Sequence, residues 1–173
     1  IIRERGIDIV LIVNTHGHFD HAAGDRAVAE ATGAPIAAHP EAVPLLREQG
    51  GAALFGLRMP AFLEPARLLN EGDEIVFGEE RLRVLHTPGH TEGCISLWSE
   101  RHEVVFDGDL LFNAGIGRTD LPGGSYRKLI ESIDGKILSL PAETQVYPGH
   151  GPETTVGQEQ KGNPFLITRP DLL

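Results

Sequence analysis

The sequence predicts an α/β protein in which sheets carry helices on their outer faces. Three observations lead there. "IDIVLIVN" (residues 7–14) is a continuous β-branched apolar run, as in a strand buried on both faces. Two segments in the middle of the chain alternate apolar and polar residues around short polar turns, as hairpins do. Between and after them lie stretches with helical spacing, which gives a mixed order of strand, helix, strand, helix, two hairpins, helix, strand and helix.

The elements follow in order. The alanine-rich "HAAGDRAVAEATG" (21–33) predicts a helix ending at Gly33, a glycine suited to the left-handed residue after a last turn. "PIAAHP" predicts a short strand, and "EAVPLLREQGG" a helix with Pro44 near its first turn. Residues 52–65 are apolar but interrupted by Gly56, Pro60 and Pro65. They read as a loop or a loosely helical lid that sets Leu54, Phe55 and Phe62 over a substrate, or as ordinary core.

"DEIVFGEERLRVLHTPGH" is the first hairpin, turning at "GEE", and "CISLWSERHEVVFDGD" the second, turning at "SERH". "NAGIGRTDLPGGS" reads as a long glycine-rich loop. "SYRKLIESIDGKILSL" predicts a helix capped by Ser125, with Leu129, Ile130, Ile133 and Ile137 on one face. "TQVYPGH" is a strand ending in a turn, and "TTVGQEQK" carries a capping box in Thr155 and Gln158. No internal repeat or low-complexity segment interrupts the pattern.

A length of 173 residues, with 40% hydrophobic and 23% charged residues, suits one globular domain with its own core. The formal net charge of -10 opposes nucleic acid or an anionic membrane surface as partner. It does not oppose a small anionic substrate, because bound cations reverse the sign locally. Cys94 is the single cysteine, so no intrachain disulfide is possible; this fits a reducing, cytoplasmic setting. No apolar run is long enough to cross a bilayer and no signal peptide is visible. The chain opens at Ile1 rather than at methionine, which fits a fragment or a processed form. No residue pattern specifies an oligomeric state.

"THGHFDHAAG" sets three histidines and an aspartate within six positions, His16 to His21. A polar loop entering a helix, with Asp20 as its N-cap, would use the same letters. The rest of the chain favours a metal site. His90 in "TPGHTEG", Asp109 in "FDGDLLF" and His150 in "YPGHGP" each follow a predicted strand and are flanked by glycine or proline. Such turns hold side chains at strand ends, where α/β proteins gather their sites. In an extended segment His16 and His18 point to the same side and grip one ion, while Asp20 and His21 face a second. The candidate ligands are therefore His16, His18, Asp20, His21, His90, Asp109 and His150. Nitrogen and oxygen donors without thiolate suit zinc, and equally iron or manganese. His39, His86, His102 and Cys94 read as structural, and Asp107 as either a turn residue or a support behind the ligands.

These motifs identify a resemblance. "THGHFDH" matches the T-H-x-H-x-D-H motif of the metallo-β-lactamase superfamily, and "PGHTEG", "DGDLLF" and "YPGHGP" resemble its later metal motifs in the same order. "GIGRTDLPGG" and "GQEQKGNPFL" resemble the small, single-domain members of the glyoxalase II-like branch, the hydroxyacylglutathione hydrolases. The resemblance implies a four-layer αβ/βα sandwich, a single domain over residues 1–173, and a two-metal site. It places His16, His18 and His90 on one metal, Asp20, His21 and His150 on the other, and Asp109 between them. Family members usually begin with further β-strands, so the resemblance also implies a domain shortened at its N-terminus. Classical glyoxalase II enzymes carry in addition a C-terminal helical domain that contacts glutathione.

The activity so implied is hydrolysis of a small-molecule thioester by a hydroxide bridging two divalent metals, oriented by Asp20 and Asp109. One metal stabilises the carbonyl oxyanion and the thiolate leaves readily. Arg118 and Asp120 in "GRTD" support the site or form a surface ion pair. The alternatives are a persulfide dioxygenase-like oxidoreductase with one iron on His16, His90 and Asp109, and a non-catalytic, truncated metal-binding domain. A β-lactamase or nuclease fits less well.

Overall fold

The computed structural model describes residues 4–168. The chain forms two compact units, one running to Leu69 and the other starting at Asn70.

The first unit holds a three-stranded sheet ordered β1-β2-β3, from β1 (Ile12–Val13), β2 (Ile36–Ala38) and β3 (Arg67–Leu68), all parallel. Its helices are α1 (Phe19–Ala22), α2 (Asp25–Thr32) and α3 (Val43–Arg47), with 3-10 turns at Pro40–Ala42 and Gln49–Phe55. β2 is central and buried along its whole length, as a parallel strand flanked by neighbours should be. The core joins Ala22, Ala38, Ala42, Leu46, Ala52 and Met59, with Phe19 and Phe62 packed against it.

Two expectations are corrected here. The strand over residues 7–14 shrinks to Ile12–Val13, half-buried, with Ile7 and Val10 exposed. Among the described residues β1 pairs only with β2, so the run before it has no ladder to join. The helix over 21–33 is instead two helices parted at Ala23 and Gly24, where glycine lowers helix propensity. Gly33 ends α2 in the left-handed conformation, φ 78°, as its position suggested.

The second unit is built on a six-stranded sheet ordered β11-β10-β7-β6-β5-β4. Its strands are β4 (Glu74–Phe77), β5 (Glu80–His86), β6 (Ile95–Ser99), β7 (Val104–Gly108), β10 (Gln145–Pro148) and β11 (Thr154–Thr155). Both hairpins form as expected, β4–β5 and β6–β7, and β10 runs parallel to β7. β8 (Leu111–Phe112), just before the expected loop, pairs with β9 (Gly115–Ile116) at its start to make a small hairpin.

The helices are α4 (Tyr126–Ser132), which continues as a π-helical turn over Ile133–Ile137, then α5 (Val156–Gly162) and α6 (Pro164–Ile167). Ser125 caps α4 by accepting the Lys128 N–H, and Thr155 caps α5 by accepting that of Gln158. Leu129, Ile130, Ile133 and Ile137 are fully buried and pack with Val105, Leu110, Leu111 and Val146. Among the described residues no helix is long and apolar enough to cross a membrane.

Candidate metal centre

In the first unit the segment leaving β1 carries the clustered histidines. His18 is extended, φ −68° and ψ 150°, and it rather than Asp20 precedes α1 as N-cap. Asp20 instead sits in the first turn of α1. The His16 ring is buried, with centroids 5.0 Å from His18 at 89° and 4.1 Å from His21. Ring nitrogens of His16 and His18, and of His16 and His21, approach within 4.8 Å. His21 Nε2 lies 3.6 Å from Asp20 Oδ2. The loop is pressed into place by bare backbone: a Cβ on Gly50, at φ 61°, would stand 2.4 Å from the Phe19 nitrogen where α1 begins.

In the second unit the topology assembles the other candidates. β7 and β10 are adjacent and parallel, with Pro148 paired to Gly108 and Gly149 N–H donating to the Gly108 carbonyl at 2.8 Å. Their carboxyl ends therefore set Asp109 and His150 side by side. β6 runs antiparallel to β7, so the turn that precedes it, holding His90, arrives at the same end of the sheet. Asp109 Oδ2 stands 3.6 Å from His90 Nε2 and 3.6 Å from His150 Nε2.

That spacing is informative. It is longer than a hydrogen bond, yet it is what ligands of one cation adopt. Tetrahedral donors with bonds of ~2.1 Å stand about 3.4 Å apart. One carboxylate oxygen thus keeps ligand spacing to two imidazoles at once, and the imidazole–carboxylate chemistry fits a divalent ion such as zinc, iron or manganese.

His90 is oriented from behind: its Nδ1 lies 2.7 Å from the carbonyl oxygen of Arg118. Donation by Nδ1–H leaves Nε2 with its lone pair toward Asp109. The "GRTD" loop therefore meets the site through backbone, not through the Arg118 guanidinium. That guanidinium makes an exposed two-pronged pair with Asp120, at 2.7 and 2.8 Å, and holds the Asp120 carboxyl down at about 2. Asp107 is buried and accepts the Leu111 N–H at 3.0 Å, fixing the turn that bears Asp109. Burial drives its carboxyl well above the usual aspartate range, and the Asp109 charge adds to that.

Cys94 is buried, close to the Thr91 backbone N–H (3.3 Å) and hydroxyl (3.2 Å), and burial pushes its thiol up to about 12. His39 accepts the Glu41 N–H, His86 meets the Glu92 carbonyl, and His102 pairs with Glu80. Ala52, Met59 and Phe62 belong to the first unit's core, while Leu54 and Phe55 are exposed, Phe55 lying 5.6 Å from Phe19. Residues with no ligand chemistry also shape the site. Gly117 lies against Asp109 so closely that a Cβ would be 1.9 Å from the Asp109 carbonyl oxygen. The only hint in sequence was its place in the glycine-rich "GIGRTD".

A family model described as the metallo-beta-lactamase superfamily matches residues 1–150. The chain is 42% identical over 169 residues to the probable metallo-hydrolase YqgX of Bacillus subtilis (strain 168), covering 95% of this chain and 79% of that protein. It is 38% identical over 171 residues to hydroxyacylglutathione hydrolase GloC of Haemophilus influenzae (strain ATCC 51907 / DSM 11121 / KW20 / Rd), covering 97% and 81%. Among solved structures, TTHA1623 in a di-iron-bound form matches with a TM-score of 0.88 and 41% identity, over 95% of this chain and 81% of that one. The chain belongs to the metallo-β-lactamase superfamily, in its glyoxalase II-like branch. It therefore has the metallo-β-lactamase fold, as the sequence motifs implied, and is a metal-binding hydrolase by family.

Proposed function

We propose that the chain hydrolyses a small thioester of the hydroxyacylglutathione type, both units acting as one catalytic domain over residues 1–173. Two divalent cations, zinc foremost, would be held by His16, His18 and His90 and by Asp20, His21 and His150, with Asp109 as the shared ligand. The observation that carries this reading is Asp109 Oδ2 at 3.6 Å from both His90 and His150, the spacing of a shared ligand. The naming of GloC as a hydroxyacylglutathione hydrolase and the di-iron form of TTHA1623 support the substrate class and the pair of ions.

Bound cations at such a site lower the pKa of a water and polarise an acyl carbonyl. The chain's own part is positional. Asp20 and Asp109 would orient the attacking water toward the carbonyl carbon by accepting its hydrogen bonds. The thiol group of the substrate departs as thiolate, since its conjugate acid has a pKa of about 8.5 and needs no protein acid. Asp107 and the Arg118 carbonyl hold Asp109 and His90 in register. A cytoplasmic location, where thiols stay reduced, suits such a substrate.

The test is hydrolysis of S-D-lactoylglutathione by chelated protein reloaded with zinc, iron or manganese. Turnover restored by a metal supports the reading. A folded sample inactive with every metal would overturn it and shift weight to a mononuclear oxidoreductase.

A further inference from the structure

The sequence "GQEQKGNPF" places a glutamate and an asparagine where the chain buries both almost completely, Glu159 at 1% and Asn163 at 0% exposure. A buried carboxylate is costly without donors, and this one has three. Thr154 Oγ1 donates to Oε1 at 2.5 Å, while Asn163 Nδ2 and the Ala114 N–H donate to Oε2 at 2.8 and 3.0 Å. Asn163 Nδ2 also donates to the Gly115 carbonyl at 2.9 Å, and its Oδ1 accepts the Phe165 N–H at 3.0 Å.

The two side chains thus grip the tip of the β8–β9 hairpin. Its residue Ala114 sits at φ 55°, a left-handed conformation that alanine does not hold unaided. This hairpin leaves directly from Asp109 and Leu110 and returns through Gly117, whose N–H donates to the Leu110 carbonyl at 3.0 Å. The carbonyl of the following residue, Arg118, is the one that meets His90 Nδ1.

We propose that Glu159 and Asn163 are positioning residues: by clasping the β8–β9 hairpin they set the Arg118 carbonyl that fixes the tautomer and aim of His90. The consequence for cation binding rests on the metal site proposed above; the consequence for His90 does not. The network ties α5 to the β8–β9 hairpin without contributing a ligand itself.

The experiment compares the parent chain with Glu159→Ala, Glu159→Gln and Asn163→Ser. Serine keeps an oxygen for the α6 cap and loses both amide donations. Glutamine keeps one oxygen for Asn163 and Ala114 and can donate to Thr154, so it is the conservative variant. Long-range proton–nitrogen NMR of metal-free protein reads the His90 tautomer, and competition with a chromophoric chelator reads affinity for zinc.

The parent and Glu159→Gln are expected to hold His90 with its proton on Nδ1. Glu159→Ala and Asn163→Ser are expected to mix tautomers and weaken zinc binding by about tenfold or more, the usual effect of losing a support behind a metal ligand. If Glu159→Ala does not fold, Asn163→Ser carries the comparison. An unchanged tautomer in folded Asn163→Ser overturns the clasp, even if the variant melts earlier. A parent chain that binds no zinc while its tautomer still responds leaves the clasp standing and removes the metal reading.

Discussion

Gly117 shows how tightly the candidate site is bound by its backbone. A methyl group there would stand 1.9 Å from the Asp109 carbonyl oxygen and 3.4 Å from His90 Cβ, so the turn must move. Gly117→Ala is expected to cost about 3 kcal/mol, as overpacking against an unyielding neighbour does, measured by urea unfolding of chelated protein. It should also weaken zinc binding. Cys94 makes the opposite point, a polar atom withdrawn from chemistry. With its thiol pushed up to about 12 by burial, it stays protonated at pH 8 and should resist a disulfide reagent until the chain unfolds. Rapid labelling of native protein would contradict this.

At the scale of elements, the tie between Glu71 and the π-helical turn gives a pH-dependent test. Burial pushes the Glu71 carboxyl up, but the Lys136 ammonium (2.6 Å), the His86 N–H and the Arg83 charge together outweigh it and hold it below the usual value. A lowered carboxyl stabilises the fold above its unfolded pKa of about 4.5 and loses that contribution as the pH falls through its folded value. Lys136→Met is expected to cost about 0.5 kcal/mol at pH 7, since both partners are part-exposed, and nothing below the carboxylate range. Thermal unfolding at pH 7 and pH 3 checks it.

Elements with a long pattern were legible in the sequence: both hairpins, the Leu129–Ile137 face and the Ser125 and Thr155 caps. The two-residue strands β3, β8, β9 and β11 were not, because a pair of residues carries no period. The run at 7–14 misled because β-branched composition signals strand propensity, whereas pairing and burial depend on a neighbour. The seven ligand candidates stand out in the sequence because glycine turns at strand ends flank each later one. The Glu159–Asn163 clasp was not, because a buried glutamate and an exposed one are the same letter.

For the whole molecule, the formal charge of -10 concentrates self-repulsion that bound cations would relieve. Cation binding to the folded chain, as proposed, stabilises it against the unfolded one. Zinc at a hundred times its dissociation constant should add about 2.7 kcal/mol per site, read as a higher melting temperature than that of chelated protein. The same charge predicts no binding to duplex DNA at physiological salt, checked by electrophoretic mobility. The most direct measurement is the number of zinc ions retained per chain after dialysis, for the parent and for Asp109→Asn. Two per parent chain and one or none for the variant is the expected result. One ion per parent chain, or a count unchanged by Asp109→Asn, would contradict the shared-carboxylate site.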